Sequence, residues 1–242
     1  MGKLDGKVAL VTGASRGLGR AIARGLAGEG ASLVMAARHA DQLHDAEQEL
    51  ARQGADALTV PADVTDEIQV EKLFGRAIER FGRLDLLVNN AGAFDGGPID
   101  ELSTADWDKV IAVNLRAPFL CTRAAMRIMQ GQGAGRIINI GSISAQRVRP
   151  GSAPYSASKH GLWGLTQVTA LEGREHGITC GCLHPGNIRV ERRQTSRAED
   201  AEPMMSVDEV AEVVVLMAVL PPHVEMLEAI VLPSRQLYVG RG

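Results

Sequence analysis

Short apolar runs alternate with amphipathic stretches along this whole chain of 242 residues. Val8–Val11, Leu33–Ala36, Ala57–Pro61, Leu84–Asn89, Arg136–Ile140, Ile178–Leu183 and Ala229–Leu232 read as strands. The segments between them, Arg20–Gly28, Asp41–Gln53, Ile68–Phe81, Ala105–Met129, Pro154–Glu175 and Val207–Leu220, read as helices. Ser206 and Glu209 give the last of these a capping-box start. Strict alternation predicts right-handed βαβ units. The expected fold is therefore α/β, a doubly wound parallel sheet of about seven strands with helices on both faces. No internal repeat and no linker-like stretch interrupts the pattern, so residues 1–242 are expected to form a single domain.

The first βα junction is the most specific local signal. Lys7–Val11 (KVALV) is followed by Thr12–Gly19 (TGASRGLG) and then by a helix. A strand, a glycine-rich turn and a helix start make a phosphate cradle. Glycine lets the backbone approach a pyrophosphate, and the helix N-terminus offers unpaired N–H groups and a favourable dipole. A tight turn would also need glycine, but at the first βα junction the dinucleotide reading is favoured and the sheet is expected to be Rossmann-type. The second strand ends Ala36-Ala37-Arg38, with no acid to take a ribose 2′-hydroxyl. Arg38 and Arg16 are cations suited to a 2′-phosphate, which points to NADP(H) over NAD(H). The other reading of Arg38 is a solvated loop residue.

A second constellation carries chemistry. Tyr155 and Lys159 are four residues apart on an expected helix, hence on one face, and Ser142 lies thirteen residues before the tyrosine. A free phenol titrates near about 10, and a neighbouring cation favours the phenolate. A tyrosine so placed can exchange a proton with a carbonyl or alcohol oxygen, and a serine hydroxyl can hold the same oxygen.

With these motifs in order, the chain resembles the short-chain dehydrogenase/reductase family, in its shorter single-domain branch. Thr12–Gly19 matches the TGxxxGxG loop, Asp63-Val64 an adenine-contacting dipeptide, Asn89–Gly92 the NNAG motif, and Pro185-Gly186 a turn near the nicotinamide. The resemblance implies a tetrad. Tyr155 is the general acid/base, and Lys159 lowers its pKa and binds the nicotinamide ribose. Ser142 orients the substrate oxygen, and Asn114 holds a water in a proton relay. It implies cofactor contacts at Gly13, Ser15, Arg16, Gly17, Leu18, Gly19, Arg38, Asp63, Val64, Asn90, Ala91, Gly92, Tyr155, Lys159, Pro185, Gly186 and Ile188. Two departures stand out. A threonine often follows the Pro-Gly turn, where this chain has Asn187, and the usual aspartate–glycine–glycine end is replaced by Leu232–Gly242 (LPSRQLYVGRG).

The expected activity is hydride transfer between NADP(H) and a small-molecule carbonyl or secondary alcohol. The alternatives are a 3-oxoacyl-carrier-protein reductase, which needs cations to dock an acidic carrier, and a cofactor sensor without turnover. Residues 189–205 are expected to form a substrate lid. His184 reads as strand-end filling or as a substrate or nicotinamide contact, the former favoured; His160 and His176 read as structural. Trp107 and Trp163 read as packing or subunit-contact residues. Apolar residues on several faces of the two long helices predict a homo-oligomer, a tetramer with a dimer as fallback. A net charge of −3 without a basic stripe argues against nucleic acid. No run approaches a membrane span, and the start lacks a signal-peptide pattern. The three cysteines show no disulfide or metal spacing, so no metal is expected and a cytoplasmic location fits.

Overall fold

The computed structural model of the chain describes residues 2–189 and 203–238. Seven strands form one sheet: β1 (Val8–Thr12), β2 (Ser32–Ala37), β3 (Ala57–Pro61), β4 (Leu86–Asn89), β5 (Gly135–Ile140), β6 (Ile178–Pro185) and β7 (Glu228–Val231). Their order is β3-β2-β1-β4-β5-β6-β7, and every neighbouring pair is parallel. This is the doubly wound Rossmann order with a seventh strand added at one edge. β1 is buried at all five residues, because helices cover both faces and no side chain of the strand meets water.

The helices are α1 (Gly17–Gly28), α2 (Ala40–Arg52), α3 (Glu67–Phe81), α4 (Thr104–Ile111), α5 (Ala117–Gln132), α6 (Ala153–Gly173) and α7 (Val207–Ala218). Alternation along β2 divides the core. Leu33 and Met35 pack with Ile22, Leu26, Leu43 and Val214 of α1, α2 and α7. Val34 and Ala36 face Leu73, Phe74 and Leu120 of α3 and α5 on the other side. Each such aliphatic side chain removed from water contributes roughly 1.5–3 kcal/mol before entropy is charged against it.

Local signals set the helix ends. Asp66 caps α3 by accepting from Ile68 N at 2.9 Å and Gln69 N at 3.1 Å, and Gly82 (φ 71) closes it in the left-handed region. The capping box of α7 forms as expected: Glu209 N donates to Ser206 Oγ at 3.2 Å, and Ser206 N donates to Glu209 Oε2 at 2.6 Å.

Most boundaries shift by one to three residues from the sequence reading, and two differences have a visible cause. The expected helix over 105–129 is three pieces: α4, a π-helical segment Ala112–Arg116, and α5. Here the Ala117 N–H reaches back to Ala112 O, and Pro118 cannot donate to the Asn114 carbonyl as an uninterrupted α-helix requires. Strand β4 starts at Leu86 rather than Leu84. The peptide groups of Leu84 are taken by the Gln132 side chain, which donates to its carbonyl at 2.8 Å and accepts from its N–H at 2.9 Å.

Candidate active site

Parallel strands bring all their C-terminal ends to one edge of the sheet. Thr12, Asn89, Ile140 and Pro185 end β1, β4, β5 and β6, so the loops that follow them converge there. The reversal of strand order falls between β1 and β4, and the glycine loop and Asn90–Gly92 meet across it. Thr12 is the joint. Its hydroxyl accepts from Asn90 N and Ala91 N, both at 3.0 Å. Asn90 Nδ2 donates back to Thr12 O at 2.8 Å and Gly13 O at 3.2 Å. Gly13 (φ 64) takes the left-handed turn, and a Cβ on Gly19 would lie 2.2 Å from Gly13 O. Glycine is therefore required for α1 to sit against its own loop.

No side chain caps α1 at Arg16, so its first-turn N–H groups remain available to an anion. The loop is tied to β2 by Ala14 N donating to Ala36 O at 3.2 Å and to α2 by Ser15 Oγ donating to Gln42 at 3.3 Å. Leu18 packs on the core below, and Gly17 (φ 53) has open space around it. Arg16 and Arg38 are exposed and form no ion pair with a described carboxylate. The cradle, the uncapped helix and two cations that meet no described carboxylate fit a dinucleotide phosphate group. Farther along the edge, Asp63 follows β3 and holds Thr65 through N at 2.9 Å and Oγ1 at 2.7 Å, and Val64 is buried.

Ser142 lies two residues beyond the end of β5, and Tyr155 and Lys159 lie on α6. Lys159 is buried at 5% exposure, its ammonium donating to Ile140 O at 2.7 Å and lying 5.7 Å from the Tyr155 ring centroid. The phenol ring is half-buried and meets Phe94 edge-on at 5.1 Å. Ser142 Oγ accepts from Ser144 N at 3.1 Å, which leaves its own proton without an acceptor among the described residues. Asn114 lies in the π-helical segment and is fully buried. Its amide exchanges two bonds with Ala93, both 2.8 Å, and donates to Ser158 Oγ at 3.1 Å. The side chain is thus committed to protein, and what Asn114 has to offer a water is its main-chain carbonyl.

Against this geometry, the family model described as short chain dehydrogenase matches residues 7–201. The chain belongs to the short-chain dehydrogenase family. Among relatives in that family, the "Uncharacterized oxidoreductase YxjF" of Bacillus subtilis (strain 168) is 44% identical over 75% of this chain and 71% of the relative. A "3-oxoacyl-[acyl-carrier-protein] reductase" of Synechocystis is 38% identical over 82% of this chain and 81% of its own length. A metagenomic short-chain oxidoreductase solved in complex with NADP superposes with a TM-score of 0.85 at 36% identity, covering 96% of this chain and 99% of that one.

Several contacts around this candidate site carried no signal in the sequence. His184 is fully buried under Trp163, with ring centroids 5.7 Å apart. Its Nδ1 lies 2.9 Å from Ser142 O and 3.3 Å from Ser142 N, while Nε2 faces Glu228 at 3.5 Å without a hydrogen bond. It fills a strand end, as expected, and also holds the backbone of Ser142. The C-terminal segment returns to the same place. Gln236 Oε1 accepts from Asn187 N at 2.9 Å beside the Pro185-Gly186 turn, and Tyr238 donates to Gln146, which in turn bonds Glu228. These pairs lie 49 and 92 residues apart, beyond any local pattern.

Most of the expected lid, residues 190–202, lies outside the described residues. Its two ends pair: Ile188 bridges Met205, and Arg189 N donates to Met205 O at 2.8 Å. No group of three metal-ligating side chains occurs among the described residues, and no described helix is long and apolar enough to cross a membrane.

Proposed function

We propose that this chain transfers a hydride reversibly between NADP(H) and a carbonyl or secondary alcohol, as one dinucleotide-binding and catalytic unit. The observation that carries the reading is the buried Lys159 ammonium beside the Tyr155 ring, at the same sheet edge as the glycine cradle. A bound nicotinamide supplies or accepts the hydride. In the reductive direction the Tyr155 hydroxyl gives a proton to the carbonyl oxygen, and the neighbouring ammonium favours the negative charge left on the phenol. The free proton of Ser142 holds the same oxygen. The Asn114 carbonyl, which Pro118 leaves without an α-helical donor, holds water that returns protons toward Lys159.

Arg16 and Arg38, which pair with no described carboxylate, support NADP(H), and the NADP-bound neighbour agrees with that reading. Dissociation constants for NADPH and NADH test it. The parent is expected to favour NADPH, and neutralising both arginines should reduce that preference by about tenfold or more, the worth of a charge-assisted hydrogen bond. A parent that binds NADH more tightly would overturn the NADP assignment.

The 38% identical reductase of Synechocystis supports a second reading, reduction of a 3-oxoacyl group on a carrier protein. Of the two arginines near the start of β5 that a carrier could meet, Arg123 is paired with Glu67, while Arg127 is exposed and pairs with no described carboxylate. Turnover of acetoacetyl-carrier protein far above that of small ketones would decide for the second reading. NADPH binding without oxidation across the whole panel would indicate a sensor.

A further inference from the structure

We propose that Arg147 and Arg149 form an anion-holding rim beside Tyr155, and that the substrate carries a carboxylate or phosphate close to its reacting carbonyl. The proposal rests on the oxidoreductase reading above and adds the substrate's charge class to it.

Six arginines, Arg20, Arg24, Arg76, Arg80, Arg83 and Arg123, meet carboxylates, while others, Arg52, Arg127 and Arg174 among them, pair with none that is described. Arg147 and Arg149 also meet none among the described residues, although both are exposed. Each lies instead over an aromatic ring. Arg149 Cζ is 5.6 Å from the Phe94 centroid, and Arg147 Cζ is 5.6 Å from that of Tyr238. Phe94 is the ring that meets Tyr155 at 5.1 Å, so one aromatic ring separates the Arg149 guanidinium from the proposed proton donor.

A guanidinium within about 6 Å of a ring centroid gains cation–π attraction without using its N–H donors, which remain available for a bidentate anion. The loop beneath is fixed. It starts at Ser142, a following Pro150 disfavours helical backbone at Arg149, and Ser152 Oγ donates to Arg149 O at 2.7 Å. Tyr238 is anchored through Gln146 and Glu228 to the strand beside His184. Arg149, one ring away from the proton donor, and Arg147, two residues before it on the same loop, pair with no described carboxylate, and such cations match an anionic substrate better than a neutral one.

The test is NADPH oxidation with pyruvate, acetoacetate and levulinate, each against its methyl ester, and with acetoacetyl-CoA. The parent is expected to favour at least one acid over its ester by about tenfold in kcat/KM, and Arg149→Met should collapse that ratio while Arg149→Lys restores part of it. If only the CoA thioester shows a preference that Arg149→Met removes, the anion is a phosphate and the rim stands. Equal rates for acids and esters with no advantage for the thioester, or a ratio untouched by Arg149→Met, overturn the proposal and leave the oxidoreductase reading intact. If nothing in the panel is turned over, the oxidoreductase reading fails for these carbonyls. Calorimetric titration of the acids into the NADPH complex then judges the rim: binding lost in Arg149→Met supports it, and equal heats in parent and variant overturn it.

Discussion

Tyr155 and Lys159 owe their meeting to one helical turn, but Lys159 owes its fixed position to the Ile140 carbonyl at the end of β5. Tyr155→Phe keeps the ring against Phe94 and removes only the hydroxyl. Turnover should fall by about 10² to 10⁴ while NADPH affinity, read by fluorescence titration, stays near that of the parent. Activity equal to the parent's would remove Tyr155 from the proposed mechanism. His184 makes a different prediction. Burial pulls its pKa below the ordinary 6.5, outweighing the Ser142 contact and the Glu228 carboxylate, which raise it; Lys159 lowers it further. The unfolded chain then binds more protons than the folded one, so stability is lost as pH falls through about 6.5. Glu49 acts in a more acid window: burial raises its pKa, but Arg24 and Arg20 pull it below the ordinary carboxylate value. Urea midpoints should therefore drop between pH 7 and 5.5, and His184→Gln should shrink that drop. A parent whose midpoint does not move across this range would contradict the buried neutral histidine.

Two elements are shaped by chemistry more than by propensity. The helix from Thr104 to Gln132 swells into a π-helical segment where Asn114 turns its amide onto Ala93, and this ties α4–α5 to the loop after β4. The β1–α1 turn closes only because Gly19 lacks a Cβ. In Gly19→Ala the new methyl meets both Gly13 O and the Asn90 amide, so either the helix start shifts or the Asn90 clamp opens. NADPH affinity should fall by about tenfold or more, because the phosphate-facing N–H groups move with the helix start. Circular dichroism should still show the parent fold. Undiminished affinity would mean that the loop accommodates the methyl without moving those groups.

Across the whole molecule, association is the open expectation. Leu162 is buried and Trp163 packs on His184, so neither belongs to an exposed apolar face. Phe119, Val168 and Leu171 on α5 and α6 remain 45%, 50% and 61% exposed. That surface suits a two-fold pairing of these helices, and light scattering at micromolar concentration should give a multiple of the chain mass. A single-chain mass would exclude the pairing. The doubly wound parallel architecture, by contrast, was legible in the sequence, though the order of the strands was not. Seven apolar runs separated by helical periodicity admit few topologies other than a doubly wound sheet, and the glycine loop and the YxxxK spacing are local patterns that a sequence displays directly. Boundaries were less legible. Side-chain bonds from Gln132, 48 residues away, decide where β4 begins, and the missing donor of Pro118 coincides with the break in the long helix. The sequence by itself determined the elements, their alternation and the residue types placed at strand ends, because these follow from local periodicity and turn chemistry. Only the tertiary structure decided that His184 braces Ser142, that Gln236 and Tyr238 return to the site, and that Arg149 lies over Phe94, because those contacts join positions that only folding brings within bonding distance.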